Sequence, residues 1–119
     1  MLEPLFESTA KERILFVLRT RGESFPREIA RDLGIYVNTV RNQLLKLERG
    51  GVLYSRLKGK VRLFGISPRY AFRAELGALL DKALEFVPER EAEAYYRPRL
   101  RPRRTGKPVL RASARTSSR

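Results

Sequence analysis

The side chains best suited to reading another molecule lie between residues 37 and 49. Asn38 and Asn42 carry amides that can form two hydrogen bonds with an adenine edge, and Arg41 can do the same with a guanine. Val37 offers an apolar contact for a thymine methyl group. These four residues are therefore the candidates for contacts to DNA bases.

A second set of candidates has the chemistry of phosphate binding. Arg27, Thr39 and Lys46 would position a protein on a DNA backbone without reading its sequence. Four further cations surround a short turn that contains a glycine: Arg56, Lys58, Lys60 and Arg62. Charges so close repel one another unless an anion is near, which favours a minor groove or a phosphate backbone as their partner. The alternative is a solvated surface, with Asn38 only a residue of the helix start.

The composition favours a polyanionic partner and argues against an enzyme. The 119 residues carry a formal charge of +13, and they include no cysteine and no histidine. Disulfides, thiolate metal sites and the commonest general base are thereby excluded. No phosphate-binding glycine loop with a lysine, nucleophile elbow or metal-ligand spacing is present. We therefore expect a protein that is not an enzyme and binds no cofactor and no metal.

The elements that position these residues follow from hydrophobic periodicity. Thr9 and Glu12 have the spacing of a capping box and predict a helix from about 9 to 21, although Phe16 lies off its apolar stripe. Pro26 and Gly34 bracket a short helix over 26–33. A third helix runs from about 37 to 49, where a double glycine closes it.

The pattern then changes from helical to extended. Residues 52–57 and 61–66 are rich in strand formers and flank a turn with a glycine, which predicts a β-hairpin. An amphipathic helix follows over about 71–87. The predicted fold class is mainly α with a small β-hairpin, and the chain divides into a body over 1–70, a helix over 71–87 and a tail over 88–119.

The order of these elements resembles a known family. Residues 26–35, then Asn38-Thr39-Val40, then residues 44–53 are similar to the ArsR-like branch of bacterial and archaeal winged helix-turn-helix transcriptional regulators. The resemblance covers about residues 9–87 and implies that the third helix enters a DNA major groove. The chain lacks the cysteine and histidine ligands of metal-sensing members. Tyr36 stands where a Ser or Thr cap is usual, and it either caps poorly or stacks on a nucleic acid.

The helix over 71–87 has two interpretations. Its apolar stripe either packs wholly on its own domain or pairs with a second copy, and the resemblance favours a homodimer. The candidate interface residues are Phe72, Leu76, Leu79, Leu80, Ala83 and Val87. Leu2, Leu5 and Phe6 are candidates to extend that interface.

The end of the chain has a separate basic character. Residues 88–119 hold ten Lys or Arg and three Glu, a net of +7, against sixteen and ten, a net of +6, in residues 1–87. This composition predicts a flexible tail. Its candidate contacts to DNA phosphates or a minor groove are Arg97, Arg99, Arg101, Arg103 and Arg104. RNA or an acidic protein would satisfy the same charges.

Together these patterns predict a sequence-specific regulator that binds double-stranded DNA. One alternative is an architectural or RNA-associated protein with little sequence preference. Another is a winged-helix module that contacts protein, such as a transcription-machinery subunit or an antitoxin. No apolar run approaches the ~20 residues that a membrane span requires, and we expect a cytoplasmic, nucleoid-associated protein with no membrane partner.

Overall fold

The computed structural model describes residues 1–96, which form six helices and three strands. In chain order these elements are α1 (Glu3–Phe6), α2 (Thr9–Arg21), β1 (Glu23–Ser24), α3 (Pro26–Leu33), α4 (Val37–Arg49), β2 (Leu53–Lys58), β3 (Val61–Ile66), α5 (Arg73–Leu84) and α6 (Glu89–Tyr95). The predicted class, mainly helical with a small antiparallel sheet, is confirmed.

The boundaries of α2 agree with the prediction, but the expected capping box is wrong. Ser8 is the N-cap, and its hydroxyl oxygen accepts a hydrogen bond from the Lys11 amide at 2.9 Å. Glu12 is buried and accepts a hydrogen bond from the Leu2 amide at 3.1 Å. Glu12 therefore holds the N-terminal segment instead of capping its own helix.

Helix α2 runs through the middle of the core. Its residues 14–18 are all buried, so contacts surround the helix on every side. Apolar side chains from the other elements close around it: Ile29 and Leu33 of α3, Val40 and Leu44 of α4, Phe64 of β3 and Leu80 of α5. Burial of such a continuous set supplies most of the favourable free energy of folding.

The turn between α3 and α4 depends on a glycine. Gly34 adopts φ 70° and ψ 35°, and its amide donates to the Ala30 carbonyl at 2.9 Å. A side chain with a Cβ is strained in this left-handed conformation, so glycine is favoured there. The turn fixes the angle at which α4 leaves the body.

The sheet contains a strand that the sequence did not predict. β1 pairs antiparallel with β3, and β3 pairs antiparallel with β2, which gives the strand order β1-β3-β2. Glu23 and Tyr54 both lie opposite Gly65 in the register. The hairpin is therefore tied to the segment that follows α2.

Helix α5 is shorter than predicted and is fixed to α2. It covers Arg73–Leu84 within the predicted range of 71–87. Arg19 forms a bidentate ion pair with Asp81, with N···O distances of 2.8 and 2.7 Å. The Arg19 guanidinium lies against Gly77, where a Cβ would come within 3.0 Å of it.

Residues 88–96 correct the predicted start of the tail. Instead of opening a flexible segment, they form α6 and the buried residue Tyr96. Tyr96 packs edge to face on Phe16 at a centroid distance of 5.2 Å, and Arg13 lies 5.0 Å from the centre of the Tyr95 ring. The contact with Tyr96 accounts for the burial of Phe16, which lies off the apolar stripe of α2.

Candidate nucleic-acid interface

Helix α4 presents a polar face opposite its buried stripe. Val40, Leu44 and Leu47 anchor the helix in the core, whereas Asn38, Arg41 and Asn42 are exposed. Val37 is partly buried and packs against the core, so less of it is available to a ligand than the sequence suggested. The geometry leaves the three polar side chains free to meet a partner in front of the helix.

Two of these side chains hold each other in place. Arg41 Nη1 donates a hydrogen bond to Asn38 Oδ1 at 2.9 Å, one helical turn away. Such a pair reduces the rotamer freedom that binding would otherwise remove. Asn42 makes no hydrogen bond to another residue within 1–96, so both polar atoms of its amide face solvent.

The residues predicted to contact phosphates lie on two elements. Arg27 is in the first turn of α3, and Thr39 and Lys46 are on α4. All three are exposed, and none is hydrogen-bonded or ion-paired to another residue in the described part of the chain. Their donors are available to an anion.

The cations of the hairpin differ in their surroundings. Lys58 and Lys60 flank Gly59 at the tip, and both are exposed and form no ion pair with a residue among 1–96. Arg56 instead forms a bidentate ion pair with Glu23, with N···O distances of 2.9 and 2.8 Å. This pair neutralises Arg56, which therefore adds less to the positive tip than predicted.

Glu23 is the acid at the centre of this arrangement. It accepts hydrogen bonds from Arg56 and from the Tyr54 hydroxyl, and these bonds lower its pKa from 4.5 to about 2. Burial and the nearby carboxylate raise the pKa of Tyr54 to about 12. Glu23 is thus ionised and Tyr54 neutral across the physiological range, which keeps the contact intact.

A chain of hydrogen bonds connects α4 to the hairpin. Arg62 Nη1 donates to Ser55 Oγ at 3.0 Å, and Ser55 Oγ donates to Glu48 Oε2 at 2.6 Å. Because Glu48 is in the last turn of α4, the position of Arg62 is linked to the helix. The sequence did not indicate this link.

Tyr36 is the most prominent aromatic residue of this surface. It is 85% exposed at the N-cap of α4 and makes no side-chain capping hydrogen bond. The sequence left open whether it caps poorly, and the structure shows that its side chain does not cap. The exposed ring stands beside the polar face of α4.

The predicted dimer residues fall into two groups. Leu80, Ala83 and Val87 are buried in the core of their own chain, which corrects their assignment to an interface. Phe72 is 61% exposed, and Leu76 and Leu79 are partly buried. Phe86, which follows the C-cap of α5, is 67% exposed.

The N-terminal candidates for the same interface also divide. Leu2 is buried, Phe6 packs against the core, and Leu5 is 67% exposed. Leu5 alone of the three is therefore a substantial free apolar surface. The predicted tail contacts from Arg97 to Arg104 lie outside the described residues.

Within 1–96, no three Cys, His, Asp or Glu side chains are grouped so that they would hold a metal ion. None of the helices in that range is both long and apolar enough to cross a membrane.

Comparison with known proteins identifies the fold. The structure is similar to that of YusO from Bacillus subtilis, with a TM-score of 0.53 and 20% identity over 77% of this chain and 73% of that one. It is also similar to an apo, mutant form of ZitR from Lactococcus lactis, with a TM-score of 0.54 and 21% identity over 77% and 76% of the chains. The chain has the winged-helix fold, in which β2 and β3 form the wing.

No family model matches the sequence, and no curated protein matches it. At 20–21% identity, the two structures establish the fold alone. Membership of the ArsR-like branch stays a prediction.

Proposed function

We propose that this chain is a non-enzymatic transcription regulator of the ArsR-like type that binds double-stranded DNA. Helix α4 would enter the major groove, and the wing would contact the adjacent minor groove or backbone. One observation carries the proposal. Arg27 of α3, Arg41 of α4 and Arg62 of β3 line one groove, so cations from three elements converge on a single side of the fold.

The lack of carboxylate partners makes this convergence informative. Arg27, Arg41 and Arg62 have no ion pair within residues 1–96, whereas Arg19, Arg21 and Arg56 are each paired with an acid. Arg49 and Arg69 are also without an ion pair in that range, so the proposal depends on the convergence of these three arginines on one groove. Phosphates are the partner that such a surface favours.

The structural neighbours YusO and ZitR support the winged-helix fold on which this proposal rests. We propose that this chain acts in the cytoplasm at the nucleoid, with base contacts from Val37, Asn38, Arg41 and Asn42. Arg27, Thr39 and Lys46 would hold the backbone, and the basic segment that follows residue 96 would add affinity without specificity.

We further propose that two copies act together. Leu76 and Leu79 lie three residues apart on one side of α5, and Phe72 and Phe86 flank its two ends. Phe72 and Phe86 are largely exposed, and pairing with a second copy would remove them from water. A symmetric dimer would present two copies of α4 to two half-sites.

The experiment is a fluorescence anisotropy titration of the full chain at increasing salt. One duplex carries the promoter upstream of the chain's own gene, and the other is a shuffled version. Preference for the promoter by roughly 10³ or more at physiological salt would support sequence-specific regulation. Equal affinity for both duplexes, lost together as salt rises, would favour an architectural role. No binding to either duplex at low salt would overturn the proposal.

A further inference from the structure

The groove between α3, α4 and β3 has an apolar floor that phosphate binding does not require. Its volume is about 500 Å³, and it opens toward the same side as the polar face of α4. The apolar residues that line it are Phe25, Pro26, Leu45, Val61 and Phe64. They come from three parts of the chain, so the groove exists only in the folded domain.

Part of this floor is in contact with water. Leu45 is 39% exposed and Val61 is 38% exposed, although both stand among charged residues. Leu45 is also on the outer side of α4, away from the buried stripe. A ligand that covered these side chains would gain the free energy of removing apolar surface from water.

The rim of the groove is positive. Arg27, Arg41 and Arg62 line it, and none of them has a carboxylate partner within residues 1–96. Arg41 and Arg62 are held by hydrogen bonds to Asn38 and Ser55, which leave other guanidinium donors free. The groove therefore combines an apolar floor with donors suited to a carboxylate, a sulfonate or a phosphate monoester.

We infer that the groove is a binding site for a small organic anion with an apolar body. The anionic group would lie at the arginines and the apolar body on Leu45 and Val61. A volume of about 500 Å³ falls within the range of roughly 300–1,000 Å³ that small-ligand sites occupy. Inorganic phosphate would leave the floor uncovered, and a neutral apolar molecule would leave the arginines unpaired.

This site has a regulatory consequence, which rests on the proposed function. Arg27, Arg41 and Arg62 are the same cations that are proposed to contact DNA, so the ligand and the duplex exclude each other. A ligand that binds only the free protein raises the apparent dissociation constant of the duplex by the factor 1 + [L]/Kd. The groove would thus release the regulator from DNA when the anion accumulates.

The first test measures the site without DNA. The probe is 2-naphthoate, and its binding to the full chain is followed by the fluorescence of the probe. The neutral analogue 2-naphthylmethanol and acetate separate the contributions of the apolar body and the charge. We expect saturable binding of one naphthoate per chain, at least about tenfold tighter than either control.

Two variants locate the probe. Leu45→Gln removes apolar floor while leaving every arginine in place, and we expect naphthoate binding to weaken about tenfold. Leu57→Gln is the matched control, because Leu57 is 62% exposed on the wing and does not line the groove. The inference is overturned if binding is not saturable, or if the two variants bind naphthoate equally well.

The second test adds the duplex. We expect 2-naphthoate to raise the midpoint concentration of duplex binding by the wild-type chain, by the factor calculated from the Kd of naphthoate. For Leu45→Gln we expect a much smaller rise. Naphthoate that binds without moving the midpoint would overturn the regulatory step. If the duplex fails to bind without naphthoate, the proposed function fails, whereas the naphthoate titration still decides the site.

Discussion

The Tyr54 hydroxyl donates a hydrogen bond to Glu23 across the intervening strand β3. Both residues lie opposite Gly65 in the register, and the absence of a side chain there allows the tyrosine ring to cover the strand. Arg56 completes the contact from the same strand as Tyr54. Glu23 of β1 therefore accepts hydrogen bonds from two residues of the wing, Tyr54 and Arg56. These bonds limit the movement of the wing relative to α4.

This contact makes the stability of the fold depend on pH. The folded pKa of Glu23 is about 2 against an unfolded value near 4.5, so its contribution is present above pH 4.5 and is lost as pH falls toward 2. We expect Glu23→Gln to lower the free energy of unfolding by about 1 kcal/mol at pH 6, since solvent screens this partly exposed pair. Urea titrations of both proteins at pH 6 and pH 2.5 check this.

The difference between the two proteins isolates Glu23 from other titrating acids. Asp32 and Asp81 also have lowered pKa values, and they destabilise both proteins alike as pH falls. We expect the gap between wild type and Glu23→Gln to be much smaller at pH 2.5 than at pH 6. A gap that persists unchanged at low pH would show that Glu23 does not act through its charge.

Gly65 provides a second test of the same contact. A Cβ at this position would lie 2.6 Å from the Tyr54 hydroxyl oxygen and 2.8 Å from its ring carbons. We expect Gly65→Ala to cost about 1–3 kcal/mol, because either the ring or the strand must shift. Gly50→Ala is the control, since its Cβ would meet its nearest atoms at 3.6 Å or more. Equal stability of the two variants in urea would contradict the packing described.

Local signals account for the parts of the fold that were predictable from sequence. Pro26, Gly34 and Gly50 mark helix ends by backbone chemistry that acts within a few residues. The bounds of α3 and α4 therefore agree with the structure. The exposed face of α4 was likewise predictable, because it lies opposite a regular apolar stripe.

The features that sequence analysis missed depend on partners far along the chain. β1 has two residues and exists because β3 offers an open edge beside it. Phe16 lies off the apolar stripe of α2, and the residue on which it packs, Tyr96, is 80 positions later in the chain. Helical periodicity within α2 cannot indicate a partner at that distance. Arg56 looked like a free cation because Glu23, which neutralises it, is 33 residues away.

Tyr96 should prove to be part of the folded domain. It is 6% exposed and packs on Phe16, so Tyr96→Ala would leave a cavity beside the central helix. We expect a loss of about 3 kcal/mol in the free energy of unfolding. Glu93→Ala is the control, since Glu93 is exposed on the same helix and should cost little. If Tyr96→Ala loses no more stability than Glu93→Ala, then α6 and Tyr96 are not part of the folded domain.

Variants of the interface should separate base contacts from backbone contacts. Asn42→Ala should lower the preference for the promoter over the shuffled duplex by about 1–3 kcal/mol, because Asn42 presents an unpaired amide. Lys58→Ala with Lys60→Ala should weaken both duplexes alike and reduce the salt slope of log K by about 2. Anisotropy titrations at several salt concentrations measure both effects.

A distant arginine supplies the control for these variants. Arg69 is exposed and follows β3, at the end of the hairpin opposite the tip, so Arg69→Ala removes a charge without touching the proposed surface. We expect its affinity and salt slope to match the wild type. If Asn42→Ala weakens both duplexes by the same factor, Asn42 does not contact bases.

The exposed phenylalanines that flank α5, Phe72 and Phe86, belong to the proposed dimer contact. Phe72→Lys with Phe86→Lys should convert a dimer to a monomer in sedimentation velocity, because each charge would have to be buried unpaired between the two copies. The variant should keep its fold, since the two side chains are 61% and 67% exposed. Leu57→Lys, on the wing, should stay dimeric.

The Phe72→Lys, Phe86→Lys variant should also respond differently from the wild type to the distance between the two DNA half-sites. A dimer needs its two half-sites about one helical turn, ~34 Å, apart, so inserting about half a turn between them should weaken the wild type strongly. The monomeric variant has no second copy to place, and it should bind both spacings equally. A wild-type chain that sediments as a monomer and ignores spacing would mean that α5 serves its own domain only.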